Sequence, residues 1–153
     1  MFRTMIAAGL LAATCLPAAA QEKLIWSTTV SGDGATLVFG APETDNAMIS
    51  FTCEKGNPMV LVSSMIGSKG LKVDDAAKVI LVAGKVKKDL PGKAVANEES
   101  GAVDVNAGAK FDDIKAVTRG APLLTIETKG AKQQISLAGA ADAYAAFEKA
   151  CKG

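Results

Sequence analysis

Two cysteines, Cys53 and Cys151, stand 98 positions apart. The first lies in a stretch whose apolar residues alternate, the second in a closing stretch with helical spacing. A third, Cys15, belongs to a leader. Arg3 gives that leader its positive start, Met5–Ala13 its short apolar core, and Ala18-Ala19-Ala20 ahead of Gln21 a small-residue cleavage site. These are the three parts of a secretory signal. Residues 1–20 are therefore expected to be removed, leaving one domain over 21–153. In an exported chain the two remaining cysteines read as a disulfide, and closing so long a loop stabilises a fold by about 4–5 kcal/mol in the chain-entropy picture. Any fold of this chain must then carry an early strand against the final helix. A reactive thiol is the alternative, but no C-x-x-C pair and no histidine is present to support it.

Lipidation of Cys15 is a rival reading of the leader. Lipoprotein signals carry Leu three residues before the cysteine and Gly or Ala directly before it, whereas here Ala12 and Thr14 hold those places. No other apolar run approaches the roughly 18–20 residues of a membrane span, so the mature chain is expected to be soluble, periplasmic or secreted. The sequence has 17 basic and 16 acidic residues, and without Arg3 the two balance. A neutral chain is a poor partner for nucleic acid, which needs an excess of Lys and Arg. The local cluster Lys85, Lys87, Lys88 and Lys93 reads as a solvated face.

Turn residues punctuate short β-type segments. Leu24–Val30 and Ala35–Gly40 form a hairpin about Ser31–Gly34. Met48–Cys53 alternates, with Ile49, Phe51 and Cys53 on one face. Pro58–Ser64 and Val79–Val82 are apolar on both parities and are expected to be covered on both faces. Weaker strands follow at Ala94–Ala96 and Val103–Val105. Phe111–Val117 spaces Phe111, Ile114 and Val117 as a short helix, and Leu123–Thr128 pairs with Gln133–Leu137 about Lys129-Gly130. From Ala140 to Lys152 the stripe Ala140, Tyr144, Phe147, Cys151 makes an amphipathic helix, with Asp142 in the first turn and Lys149 and Lys152 in the last. The expected class is mainly β (α+β). It is an antiparallel sandwich or partly open barrel of about eight strands, with a short helix and a terminal helix packed on it.

With no histidine in the chain, Ser-His-Asp and Cys-His catalysis, imidazole acid–base work and histidine metal sites are excluded. Carboxylates remain, as the pairs Asp74-Asp75, Glu98-Glu99 and Asp112-Asp113. Adjacent residues in a strand point to opposite faces, so each pair reads as turn or helix-start acids rather than an acid–base couple. Asp104-Val105-Asn106-Ala107-Gly108 begins like a calcium loop, but Gly108 stands where an oxygen ligand belongs and no Glu closes it. No catalytic residue, metal or cofactor is expected. For binding, Trp26 reads as core. The segment after Pro58–Ser64 places Met65 and Ile66 beside Ser64, Ser68 and Lys69. An exposed apolar pair there could enter a partner's cleft; alternatively the segment is a hairpin end folded back on the core.

Phe51-Thr52-Cys53-Glu54-Lys55-Gly56, with the strand through Val60 and Val62, resembles the cysteine-bearing strand and turn of periplasmic C-type lysozyme inhibitors. These are small exported antiparallel barrels stapled by a disulfide. The resemblance implies that Ser64, Ser68 and Lys69 match the loop that enters the lysozyme cleft. Leu123–Ile126, then Ile135-Ser136-Leu137-Ala138-Gly139 into Ala143, is similar to the end of exported proteins of the invasion-associated locus B type. Both imply an exported β-domain without catalysis. The expectation is a non-enzymatic binding or protein-interaction module whose partner is another protein of the envelope or the exterior. An inhibitor of an exported, lysozyme-like hydrolase and a carboxylate-based hydrolase are the alternatives.

Overall fold

The computed structural model describes residues 22–153; the leader, its cleavage site and Cys15 lie outside the described residues. Among the described residues nine strands form one sheet: β1 Ile25–Ser31, β2 Gly34–Gly40, β3 Ala47–Glu54, β4 Met59–Ser64, β5 Ala76–Ala83, β6 Val86–Ala96, β7 Val103–Lys110, β8 Leu123–Thr128 and β9 Ala131–Ser136. Helix α1, Phe111–Thr118, follows β7, and helix α2, Ala140–Lys152, closes the chain. Every neighbouring pair is antiparallel, in the order β1-β2-β3-β4-β7-β6-β5-β8-β9. The sheet curls into a half-barrel, the partly open form of the expected class.

Alternation decides which face is buried. Leu37, Phe51, Val62 and Ala107 stand opposite one another along the registers of β2, β3, β4 and β7, and all four are buried. They join Val79, Leu81, Leu124 and Ile126 in one core with the inner sides of both helices. In α2 the buried residues are Ala140, Tyr144, Phe147 and Cys151, the stripe that helical spacing picks out. Cys53 and Cys151 are disulfide-bonded, with their Cα atoms 6.0 Å apart, so α2 is tied to β3 from the concave side. A Cβ on Gly34 would run into the Cys53 carbonyl, which is why the β1–β2 hairpin needs glycine where it crosses that strand.

The two sheet edges, β1 and β9, do not pair with each other. Instead the Trp26 indole donates to the Ser136 carbonyl (2.7 Å), and the Thr28 hydroxyl donates to the Ala143 carbonyl in α2 (2.7 Å). Trp26 is buried against Phe39 and Phe51, so its ring is core as expected. Its N–H latches the open side of the barrel over α2. The Tyr144 hydroxyl donates to the Phe111 carbonyl (3.0 Å) and so links the helices. Among the described residues no helix is long and apolar enough to cross a membrane.

Two expectations are corrected. Strands β4 and β5 are not covered on both faces: Met59 and Leu61 are 44% and 47% exposed, and Ile80 and Val82 are only half-buried. Both helices pack into the concave side, and among the described residues no second layer covers the convex one. Strand β6 runs eleven residues rather than Ala94–Ala96. Its lysines and Pro91 hide it, since a proline argues against a central strand. Strand β7 pairs only from Gly92 onward, so at Pro91 one side of β6 has no strand beside it.

Candidate functional site

The segment between β4 and β5, residues 65–75, crosses from one part of the sheet to another. It is hydrogen-bonded to the sheet in its first half, and to its own turn and β6 in its second. Ser64, its first neighbour, is fully buried opposite Ile49 and Val105. Its hydroxyl has no hydrogen-bond partner among the described residues. The Met65 amide donates to the Met48 carbonyl (2.9 Å), which extends the sheet by one bond. Ile66 packs against the core. At Gly67, with φ of 76°, the chain turns. Its N–H donates to Asp104 Oδ1 (3.0 Å), and its carbonyl accepts from the Thr128 hydroxyl (2.6 Å). The Ser68 hydroxyl donates to the Val103 carbonyl (2.6 Å), and the Lys69 amide donates to the Lys129 carbonyl (2.7 Å).

The strap is thus pinned at Gly67, Ser68 and Lys69. Met65 and Ile66 are half-buried rather than an exposed apolar pair, because these bonds draw them onto the sheet. Of the positions implied by the lysozyme-inhibitor resemblance, Ser64 has no exposed surface and the Ser68 hydroxyl is committed to Val103. Lys69 alone is exposed. Its stem lies against the β8–β9 turn, where a Cβ on Gly130 would come 2.6 Å from the Lys69 Cβ.

Asp104 is the residue that sequence reasoning missed. It is only 5% exposed; one oxygen holds Gly67, and the other accepts from Asn97 Nδ2 (2.7 Å). What reads as the start of a calcium loop is a strand residue that fastens two loops. The remaining signal was its place between Val103 and Val105, a charge inside a β-branched pair. After Gly70, Asp75 accepts from the Lys72 amide (2.8 Å). Asp74, at φ 71°, donates its amide to the Ala94 carbonyl (2.9 Å). These two acids build a turn.

Beneath the strap the sheet opens. Gly84-Lys85 is a two-residue turn, so Ala83 and Val86 form a hydrogen-bonded pair. By alternation, Ala77, Val79 and Leu81 exchange bonds with β6, while Ala76, Lys78, Ile80 and Val82 face β8. Strand β8 pairs with β5 only over Ile80–Val82, where Ile80 meets Glu127. The Lys129 carbonyl, which would come next, is taken by the strap. Ala76 and Lys78 therefore turn their backbone groups to a gap without a β8 partner. A cleft of about 560 Å³ lies beside that gap and reaches across β5 to Pro91. Its apolar lining residues include Leu71, Ala77, Ile80 and Pro91, and its polar ones are Lys78, Thr128 and Lys129.

Two lysines are among the residues that line the cleft. None of its lining residues is acidic. Lys78 shares Asp89 (3.3 Å) with Lys87 (3.9 Å), and among the described residues Lys129 is in no salt bridge. The cluster Lys85, Lys87, Lys88 and Lys93 does not form one patch, since Lys87 and Lys88 are neighbours on a strand and point to opposite faces. Lys88 reaches Asp113 in α1 at 2.8 Å. Hydrogen bonding to that ammonium is the main reason the Asp113 carboxyl sits below its usual range. Glu148 is lowered chiefly by its hydrogen bond to Lys152, at 2.6 Å. Burial, with a smaller contribution from Glu148, pushes the Tyr144 phenol well above its ordinary value.

Three other clefts lie beside the β3–β4 turn, over Gly108 and beside Ala41; each carries at most one carboxylate. Among the described residues no three acidic or cysteine side chains cluster as a metal ion would require. Comparison of the chain with protein-family models, with curated proteins and with solved structures found no match.

Proposed function

We propose that this chain is a non-enzymatic binding module, exported and acting through protein contacts, whose ligand surface is the gap between β5 and β8 roofed by the strap. The observation that carries this reading is the open edge of β5 at Ala76 and Lys78, beside a cleft lined mainly by apolar residues. Unpaired strand edges are where partners add. The strap over this edge is held by Asp104, Ser68, Thr128 and Lys129, so ordering it on binding costs little.

Other facts support the non-enzymatic part. The chain has no histidine, both cysteines among the described residues are in the disulfide, and the carboxylates of Asp113 and Glu148 are taken by lysines. A disulfide between β3 and α2 fits an oxidising compartment.

The test is affinity capture from an envelope extract with three baits: the natural protein, Ile80→Glu inside the cleft, and Leu61→Glu on the far convex surface. A partner retained by the natural protein and Leu61→Glu but lost with Ile80→Glu is the expected result. Equal capture by all three, or no partner at all, contradicts the assignment.

A further inference from the structure

The convex face carries a pattern of its own, separate from the β5 edge. Leu61 stands between Thr52 on β3 and Gly108 on β7, and residues directly opposite one another share a face. Gly108 leaves a hole there, since a Cβ on it would lie 3.3 Å from the Met59 methyl. The cleft over this hole, about 400 Å³, has two charged lining residues, Glu54 and Lys93. Both are exposed, and among the described residues neither is in a salt bridge. Their placement is symmetric. Glu54 lies one strand beyond Leu61 and two residues toward the β3–β4 turn. Lys93, opposite Asn106, lies one strand beyond Gly108 and two residues the other way. The pair Leu61 and Gly108 is therefore the midpoint of a diagonal of roughly 20 Å from acid to base. Lys110, the cation opposite Met59, lines the cleft beside α1 instead.

We propose that this face is the interface of a two-fold dimer, its occupant a second copy of this chain. A two-fold interface uses one patch twice, so the patch must complement itself. An apolar centre with an acid on one side, and a base equally far on the other, does so. The axis lies in the plane of contact, crosses between Leu61 and Gly108, and is perpendicular to the diagonal. Glu54 then meets Lys93 of the partner subunit, and Lys93 meets Glu54 of the partner subunit. Each Leu61 projects toward the hole at Gly108 of the partner subunit. The strands of the two sheets cross near a right angle, one of the two ways in which sheets pack face to face. Burial of Met59 and Leu61 drives association, while the two charge pairs set the register. An unrelated partner would need no such symmetry of acid and base.

Sedimentation velocity over a concentration series tests this on the purified protein. The natural protein is expected to pass from monomer to dimer as concentration rises. Leu61→Glu is expected to stay monomeric with an unchanged circular dichroism spectrum. Glu54→Lys alone and Lys93→Glu alone each set like charges together twice, and each is expected to weaken dimerisation at least about tenfold. Combining the two substitutions in one chain is expected to restore the dimer. Mixing the two single variants is expected to restore it as well, because their charges complement each other across a two-fold pair. A natural protein that is monomeric at every concentration overturns the proposal. So does a dimer that Leu61→Glu leaves intact. Single variants that dimerise normally, or that neither the double variant nor the mixture rescues, overturn the register and the proposal with it. Capture through the β5 edge is judged separately, by Ile80→Glu.

Discussion

Ser64 and Asp104 are both buried polar residues, and they make opposite demands on the fold. The Asp104 carboxylate accepts from Gly67 and Asn97, so Asp104→Ala orphans two amide groups and frees the strap. The expected cost is about 2–3 kcal/mol, as for a buried charged acceptor, with faster proteolysis near Gly67. A shift in urea midpoint measures the first and limited digestion the second. The Ser64 hydroxyl has no partner among the described residues, so it is desolvated without return. Ser64→Ala is expected to raise stability by about 1 kcal/mol; a fall in the urea midpoint would show that the hydroxyl bonds to something in solution. Tyr144 is the sole tyrosine, so phenolate absorbance reports on it alone. Its folded pKa is raised, so it leaves stability intact below its ordinary value of 10.0. Stability then falls as pH climbs above that value, because the unfolded phenol ionises first. The folded protein is expected to show no phenolate at pH values where the urea-unfolded chain has titrated. Coincident curves would contradict the burial.

At the scale of elements, the helices carry the acid-sensitive contacts. Asp113 at the start of α1 and Glu148 within α2 both have lowered pKa values, from ordinary ones of 3.8 and 4.5. Carboxyls depressed on folding stabilise the native state above their unfolded pKa, and the contribution disappears as pH falls through the folded one. Stability is thus expected to decline below about pH 4.5, and Lys88→Gln should flatten the part due to Asp113. Some elements could be read before the structure was seen. The stripe Ala140, Tyr144, Phe147, Cys151 and the alternation Ile49, Phe51, Cys53 each have one dominant period, and both emerged as drawn. Strand β6 could not be read, because Lys87, Lys88, Pro91 and Gly92 dilute its alternation. The apolar residues of both parities in β4 suggested double coverage, but Met59 and Leu61 face a convex side that nothing among the described residues covers. The strap looked like an exposed loop because its anchors come from distant residues. Asp104, Thr128 and Lys129 meet it only through the sheet order β7-β6-β5-β8.

On the scale of the whole molecule, the half-barrel is closed by a helix instead of a tenth strand, and the disulfide keeps that helix in place. Replacing Cys53 and Cys151 together by serine is expected to cost about 2–5 kcal/mol, with α2 amides losing exchange protection before those of the sheet. Uniform loss of protection would mean that α2 is not the element the bond retains. The Trp26 latch and the disulfide secure one side of the barrel, while the other side keeps an unpaired stretch of β5 beneath a fixed strap. The proposed binding function rests on that stretch. Residue-resolved hydrogen exchange tests it most directly. In the partner-free protein the amides of Ala77 and Val79, bonded to β6, are expected to be protected, while those of Ala76 and Lys78 exchange freely and become protected when the captured partner is added. Protection of the Lys78 amide without any partner would mean that the gap is closed, and would contradict its role as a binding edge.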